Sequence, residues 1–148
     1  VRMKLIEAIR ATSAGLIFTH YHIDYNADHI TTNFLVRHCA MQASLPVLPT
    51  KSAPLAEPPA IFLVEPFGVA DFTPTHFVDI SEYEQAKIEL LMNHASQQEA
   101  MLRAVNAGFD ALCEKPGAFW GDKVGCRYAE AFVPMQARGA VKPYGVLP

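Results

Sequence analysis

The stretch GLIFTHYHIDYNADHI, residues 15–30, decides the fold class of this chain because it joins a strand to a helix. A short, continuous apolar run is typical of a strand that is buried on both faces, which predicts a strand over residues 15–20. A polar loop over residues 21–27 follows it. Asp28 then stands where a helix cap is expected, and the helix that it opens runs to about Ser44.

Outward from this stretch, strands and helices alternate along the chain. Ser–x–x–Glu capping boxes at Ser81 and Ser96 predict a helix start and a restart. Five prolines between residues 46 and 59 exclude a helix or a central strand there. The predicted helices cover residues 1–12, 28–44 and 81–113. The predicted strands cover residues 15–20, 60–66, 75–80 and 128–135. A glycine-punctuated loop is predicted over residues 115–125, and the last residues are predicted to form a tail.

Apolar strands that alternate with helices imply an α/β fold with a parallel or mixed sheet covered on both faces. No linker divides the sequence, so we expect one domain over residues 1–148. Because Val1 lies within a helical pattern, we expect the chain to be part of a longer protein and the sheet to lack its amino-terminal strands. The buried faces of the first two helices are predicted to carry Leu5, Ile6 and Ile9, and Ile30, Phe34, Leu35 and Met41, respectively.

Composition narrows the class of protein. The net charge is −3 and basic residues do not cluster, so we expect no nucleic-acid partner. No apolar run has the length of a membrane span, so we expect no membrane partner either. The three cysteines are far apart and lack CxxC spacing. We interpret them as reduced thiols of a cytoplasmic protein.

The loop after the first predicted strand concentrates groups that bind metals. His20, His22 and His29 are half of the six histidines, and Asp24 lies among them. Ligands bind beyond the carboxyl ends of strands in open α/β sheets, and imidazole with carboxylate is a ligand set suited to zinc. Zinc lowers the pKa of a bound water to about 7 and so generates a nucleophile for hydrolysis. The alternative is an ordinary polar loop of turn-forming residues and a helix cap.

Two resemblances to known families compete for this loop. The first is to the strand-end motif THxHxDH of the metallo-β-lactamase superfamily, which Thr19, His20, His22 and Asp24 resemble. Tyr25 stands in place of that motif's last histidine, and no glycine turn follows. This resemblance implies a metal hydrolase that uses the THYHID motif.

The second resemblance, to the carboxyl-terminal part of the PIG-L/LmbE family of zinc-dependent N-acetylglucosamine-type deacetylases, covers most of the chain. That family has a strand ending in TH, a DYxxDH motif that opens a helix, a VDI strand, a helix with a lysine, an HxSQ motif and a late YAExF strand. These motifs are similar, in the same order, to Thr19–His20, DYNADH at 24–29, FVDIS at 77–81, Lys87, HASQ at 94–97 and YAEAF at 128–132. We favour this resemblance because several motifs in order are more specific than one.

The PIG-L/LmbE resemblance implies a Rossmann-like three-layer sandwich with a mostly parallel sheet, and a role for each matched residue. It makes His29 a zinc ligand and Asp28 a catalytic group beside it. It places Asn26, where many members have a histidine, and Tyr25 at the substrate, with Tyr25 also a loop anchor. His94 would be a catalytic-site residue at a helix end. His20 and His22 are outside the family's metal set.

One departure from the PIG-L/LmbE pattern is large. The family's HPDD-type motif, which supplies two further zinc ligands and the general base, is absent from these 148 residues. His29 alone cannot hold a catalytic zinc, which needs three protein ligands. We therefore predict the later part of a hydrolase that removes acetyl groups from an N-acetyl amino sugar or related conjugate. Its partners would be that small molecule and a missing amino-terminal segment or further copies in a homo-oligomer.

A different class of function stays open, namely a degenerate, metal-free binding module. Asn26 favours it, whereas the retained DH and HASQ motifs favour the enzyme. The loops over residues 46–59 and 115–125 are predicted to shape the substrate site or an oligomer contact. Within the second loop, Trp120 is either a sugar-stacking ring or, as we prefer, an ordinary buried aromatic.

Overall fold

A computed structural model describes residues 1–68 and 71–135 of the chain. They form two compact units, one of residues 1–76 and 132–135, and one of residues 77–131. The predicted tail lies outside the described residues. The elements are α1 (Arg2–Ala11), β1 (Leu16–Thr19), α2 (Ala27–Gln42), β2 (Ala60–Val64), β3 (His76–Asp79), α3 (Glu84–Met92), α4 (Ala95–Val105), α5 (Phe109–Val124) and β4 (Ala129–Pro134).

The four strands form one sheet in the order β1-β2-β4-β3. β1 pairs in parallel with β2, with Leu16 opposite Ala60, whereas β2 pairs antiparallel with β4, with Phe62 opposite Pro134. The predicted Rossmann-like α/β fold is confirmed, and its sheet is mixed. β1 ends the strand order, so Thr19 brings the chain out at the carboxyl end of an edge strand.

The core of the first unit lies between α1, α2 and the sheet. Ile6 and Ile9 are 1% and 5% exposed, as the sequence predicts for α1. The predicted buried face of α2 is wrong at its largest residues, because Ile30 and Phe34 are exposed. Small residues of α2, such as Cys39, are fully buried instead. Small side chains allow α1 and the sheet to approach α2 closely, and a large aromatic ring would keep them apart.

The proline-rich segment of residues 46–59 forms neither helix nor strand, as predicted. Hydrogen bonds from α1 hold this segment in place. Buried Arg10 donates from Nε to the Ala43 carbonyl at 2.9 Å, from Nη2 to the Leu45 carbonyl at 2.6 Å and from Nη1 to the Leu48 carbonyl at 3.1 Å. One guanidinium thus satisfies carbonyls at the end of α2 and in the segment after it. A buried arginine is stable only when its donors are paired in this way.

In the second unit, the helix that follows β3 starts later than predicted. The Ser81 capping box does not form, and Tyr83 precedes α3 without a side-chain cap. Ser81 Oγ instead donates to Asp79 Oδ1 at 2.6 Å and accepts the Arg127 backbone N–H at 3.1 Å. Competition from these partners explains the error, since a serine hydroxyl satisfies whichever backbone groups lie within reach. The predicted restart is confirmed at the next helix, α4, which begins at Ala95, but its N-cap position is His94 without a side-chain cap, so the predicted Ser96 capping box does not form.

The predicted loop over residues 115–125 is wrong, because α5 continues to Val124 with Pro116 inside it. The sequence signal for this helix is a helical spacing of small and apolar residues: Cys113, Gly117 and Trp120 are all buried on one face. Gly121 completes this face, and a Cβ there would lie 2.7 Å from the Arg127 carbonyl oxygen. These glycines therefore serve close packing within a helix rather than flexibility in a loop.

Trp120 is 9% exposed, and its ring lies 5.7 Å from the Phe77 ring and 4.7 Å from the Phe119 ring. The preferred interpretation of this residue as a buried aromatic is confirmed.

None of the helices in the part of the chain that the structure describes has the length and apolar character of a membrane span.

Candidate metal centre

The candidate centre lies where β1 ends and α2 begins. His20 directly follows β1, and its carbonyl accepts a hydrogen bond from Asn33 Nδ2 at 2.6 Å, which fixes the start of the loop to α2. Asn26 ends the loop and caps α2, because its Oδ1 accepts the backbone N–H of Asp28 at 2.9 Å. The prediction that Asp28 is the cap is therefore wrong by two residues. Asp28 lies in the first turn of α2, where its negative charge interacts favourably with the positive end of the helix dipole.

Asp24 is the buried acceptor of this loop, with a side chain only 2% exposed. Its Oδ1 accepts the Asn26 backbone N–H at 2.8 Å, and its Oδ2 lies 3.0 Å from Nδ1 of His29. Burial by itself raises the pKa of Asp24. The hydrogen bonds from Asn26 and His29, with the nearby imidazoles of His29 and His20, outweigh it and hold the pKa below its usual value. Asp24 is thus a carboxylate with both oxygens engaged.

The imidazoles of His20 and His29 stack face to face. Their ring centroids are 3.9 Å apart and their planes differ by 2°. Burial lowers the pKa of His20, the nearby His29 lowers it further, and Asp24 opposes both effects. His20 is therefore held toward the neutral form in which an imidazole can bind a metal ion.

His20, Asp24 and His29 form the one group of three or more potential ligands that meets within the part of the chain the structure describes. Each offers a ligand atom within 4.8 Å of the other two. Two imidazoles and a carboxylate are donors of the type that zinc accepts, so the group could hold a metal ion. The prediction that His29 belongs to a metal site thus has a geometric basis. His20 and Asp24 lie beside it, although the resemblance does not assign them to the metal.

The other predicted site residues are not in this group. His22 is exposed and lies against Tyr21, with ring centroids 4.2 Å apart, so the THYHID motif does not gather as the metallo-β-lactamase interpretation requires. Tyr25 is 67% exposed and meets His29 edge-on at 6.1 Å. This exposure does not fit a loop anchor but leaves the ring accessible to a ligand. His94 is exposed in the second unit, where it follows the carboxyl end of α3, with its N–H bonded to the Leu91 carbonyl at 2.9 Å, and is also the N-cap position of α4.

A second cluster of charged residues lies in the second unit, where the sequence motifs predict no site. Glu84 is 3% exposed, and neither of its carboxylate oxygens has a hydrogen-bond partner among residues 1–68 and 71–135. Lys87 Nζ lies 3.8 Å from Glu84 but only 2.8 Å from Glu130, its closer partner. Burial raises the pKa of Glu84, Lys87 lowers it, and the charges of Glu130 and Glu114 raise it again, with a net upward shift. Glu130 of β4 is thus the ion-pair partner of Lys87 of α3.

Comparison with solved structures identifies the fold. The chain superposes on a conserved protein of Thermus thermophilus with a TM-score of 0.78, at 23% identity over 95% of this chain. It superposes on the N,N'-diacetylchitobiose deacetylase of Pyrococcus horikoshii with a TM-score of 0.72, at 22% identity over 92% of this chain. The chain shares the fold of these proteins. No protein-family model matches the sequence.

A third solved structure has different chemistry on the same fold. The 4-carboxy-2-hydroxymuconate hydratase of Pseudomonas putida superposes with a TM-score of 0.74, at 18% identity over 97% of this chain. This chain spans only 60%, 51% and 61% of the Thermus protein, the deacetylase and the hydratase, respectively. A deacetylase and a hydratase therefore both contain this architecture, and the fold alone does not choose between their reactions.

Proposed function

We propose that this chain is part of a zinc-dependent hydrolase that removes the acetyl group from an N-acetyl amino sugar or a related conjugate. The observation that carries the proposal is the position of His29, at the start of α2, where its ring stacks on His20 just beyond the carboxyl end of β1. The motif resemblance assigns a zinc ligand to this position. The fold shared with a diacetylchitobiose deacetylase supports it.

The chain's own residues would contribute one wall of the active site. His29 would bind the metal, and Asp28, exposed beside it, would face the oxygen of the reacting acetamide. Tyr25 and Asn26 would contact the substrate at the same loop. When bound, zinc would polarise the acetamide carbonyl and activate a water. The two remaining ligands and the general base would come from an HPDD-type segment outside the 148 residues.

The test is acetate release from N-acetylglucosamine-type substrates by the natural protein that contains these residues, loaded with zinc. We expect His29→Ala to abolish both zinc binding and acetate release. His38→Ala is the matched control, because His38 is an exposed histidine of the same helix and lies outside the ligand group. Zinc binding and acetate release that survive His29→Ala would refute the proposal.

The same experiment separates the two other candidate functions. The fold shared with a hydratase favours assaying water addition to an unsaturated acid as well. Hydration that depends on His29, without acetate release, would retain the metal site but replace the reaction. A protein that binds an acetylated sugar without turning it over, with or without zinc, would be the binding module.

A further inference from the structure

We propose that Asp24 and His20 are positioning residues that fix the tautomer and the ring plane of His29, leaving Nε2 of His29 as its ligating nitrogen. The inference rests on the proposed function in one respect, namely that His29 binds a metal. The tautomer and the ring plane of His29 are argued from the structure alone. It divides the group of three potential ligands into one ligand and two residues that orient it.

The contact between Asp24 and His29 sets the tautomer. A carboxylate only accepts hydrogen bonds, so the 3.0 Å contact between Asp24 Oδ2 and His29 Nδ1 requires the proton to be on Nδ1. A neutral imidazole with a proton on Nδ1 has its free lone pair on Nε2. Asp24 is itself fixed, because Oδ1 accepts the Asn26 N–H and the side chain is almost fully buried. This is the arrangement in which a carboxylate orients a metal-binding histidine from behind.

The stacked rings exclude joint ligation by His20 and His29 in the observed arrangement. An imidazole binds a metal through a lone pair in its ring plane, at about 2.0–2.1 Å for zinc. The two rings are stacked with planes only 2° apart, and separated parallel planes share no point. One ion therefore cannot lie in both ring planes. His20 instead covers one face of the His29 ring and prevents its rotation, with its own backbone tied to Asn33.

The first experiment reads the tautomer directly in the metal-free chain. Histidine labelled with ¹⁵N gives distinct shifts for protonated and unprotonated ring nitrogens, measured at a pH where the imidazoles are neutral. We expect His29 to carry its proton on Nδ1. In Asp24→Asn we expect a mixture or the opposite tautomer, whereas Asp122→Asn, an exposed carboxylate of the second unit, leaves His29 unchanged. A proton on Nε2 in the unmodified chain, or no effect of Asp24→Asn, would overturn the inference.

The second experiment separates a stacking role of His20 from a ligand role. Phenylalanine preserves the stacked ring but has no nitrogen, so His20→Phe should retain zinc affinity within a few-fold. His20→Ala removes the ring, and we expect it to lower the affinity, as Asp24→Asn should by about 10–100-fold. Zinc affinity is measured by competition with a chromophoric chelator in the natural protein that contains this chain. If His20→Phe loses zinc as completely as His29→Ala, then His20 is a ligand and the assignment fails.

The two proposals fail in different ways. A fixed Nδ1–H tautomer without acetate release would contradict the deacetylase but leave the roles of Asp24 and His20 intact. Acetate release that requires His29, in a protein whose His29 tautomer is unchanged by Asp24→Asn, would support the deacetylase. It would contradict the positioning role of Asp24. A protein that binds no zinc would remove the metal from both proposals, while the ¹⁵N measurement would still decide what Asp24 does.

Discussion

At the scale of single residues, the loop between β1 and α2 is built by short polar side chains that bond to nearby backbone. Asp24 accepts from Asn26, and Asn26 accepts from Asp28, so each holds the next. The helix cap and the candidate ligand His29 lie three residues apart in this network. The stability of the start of α2 and the geometry of the site are therefore coupled.

The first prediction concerns the helix cap. Asn26→Ala removes the acceptor for the Asp28 N–H and should lower the free energy of unfolding by about 1 kcal/mol. Asn26→Asp should restore most of this loss, because aspartate caps as well as asparagine. Thr32→Ala, at an exposed position inside α2, is the control and should cost nothing. Urea denaturation measures all three, and equal stabilities of Asn26→Ala and the unmodified chain would contradict the capping role.

The second prediction concerns the buried carboxyl of Glu84. Its folded-state pKa is raised, so the folded state binds more protons than the unfolded state as the pH rises above the ordinary pKa of 4.5. Stability attributable to this group is therefore complete at low pH and is lost as the pH rises toward the folded-state pKa. Glu84→Gln should gain stability relative to the unmodified chain as the pH increases from 4.5 to neutrality. Exposed Glu82→Gln should show no such trend in denaturant titrations at several pH values.

At the scale of elements, the second unit depends on how closely backbones approach α5. A Cβ added to Gly121 would lie within 2.8 Å of the carbonyl groups of Cys126 and Arg127, and one added to Gly117 would lie 3.3 Å from Tyr128. α5 therefore presents a groove of small residues to the chain that follows it. A groove of this kind is sensitive to a single added methyl group.

The third prediction follows from that groove. Gly121→Ala should destabilise the chain by about 1–3 kcal/mol, because backbone atoms rather than a flexible side chain would have to move. Gly15→Ala is the matched control, since a Cβ at Gly15 meets no described atom within 4 Å. Thermal unfolding compares the two variants. A melting temperature of Gly121→Ala equal to that of Gly15→Ala would show that the chain after α5 has room to shift.

The sequence predicts elements well where local pattern determines them. β1, β2 and α1 lie within a few residues of their predicted ranges, because apolar runs and helical stripes dominate those segments. The errors come from tertiary partners: Ser81 bonds to Asp79 and Arg127 rather than capping α3. α5 crosses Pro116 because its small, buried face outweighs the lost hydrogen bond.

At the scale of the whole molecule, the sequence locates the candidate centre but not its internal arrangement. The motif predicts His29 as a ligand, and the structure places it in a group of potential ligands. The path of the loop between β1 and α2 determines two contacts of His29, the hydrogen bond with Asp24 and the stacking of His20. Loop paths are set by contacts such as Asn33 to the His20 carbonyl, which spacing along the chain does not reveal.

The tethering of residues 46–59 to α1 determines how this chain meets a protease. Glu7 Oε2 accepts the backbone N–H groups of both Lys51 and Ser52, at 2.8 and 3.2 Å, so the bond between these residues is held away from an enzyme that needs extended, free backbone. Trypsin should therefore leave Lys51–Ser52 intact under native conditions although the segment has no secondary structure. Glu7→Ala should expose that bond, whereas Glu82→Ala should not. A proline-rich segment without helix or strand would then behave, toward proteolysis, as part of the folded first unit.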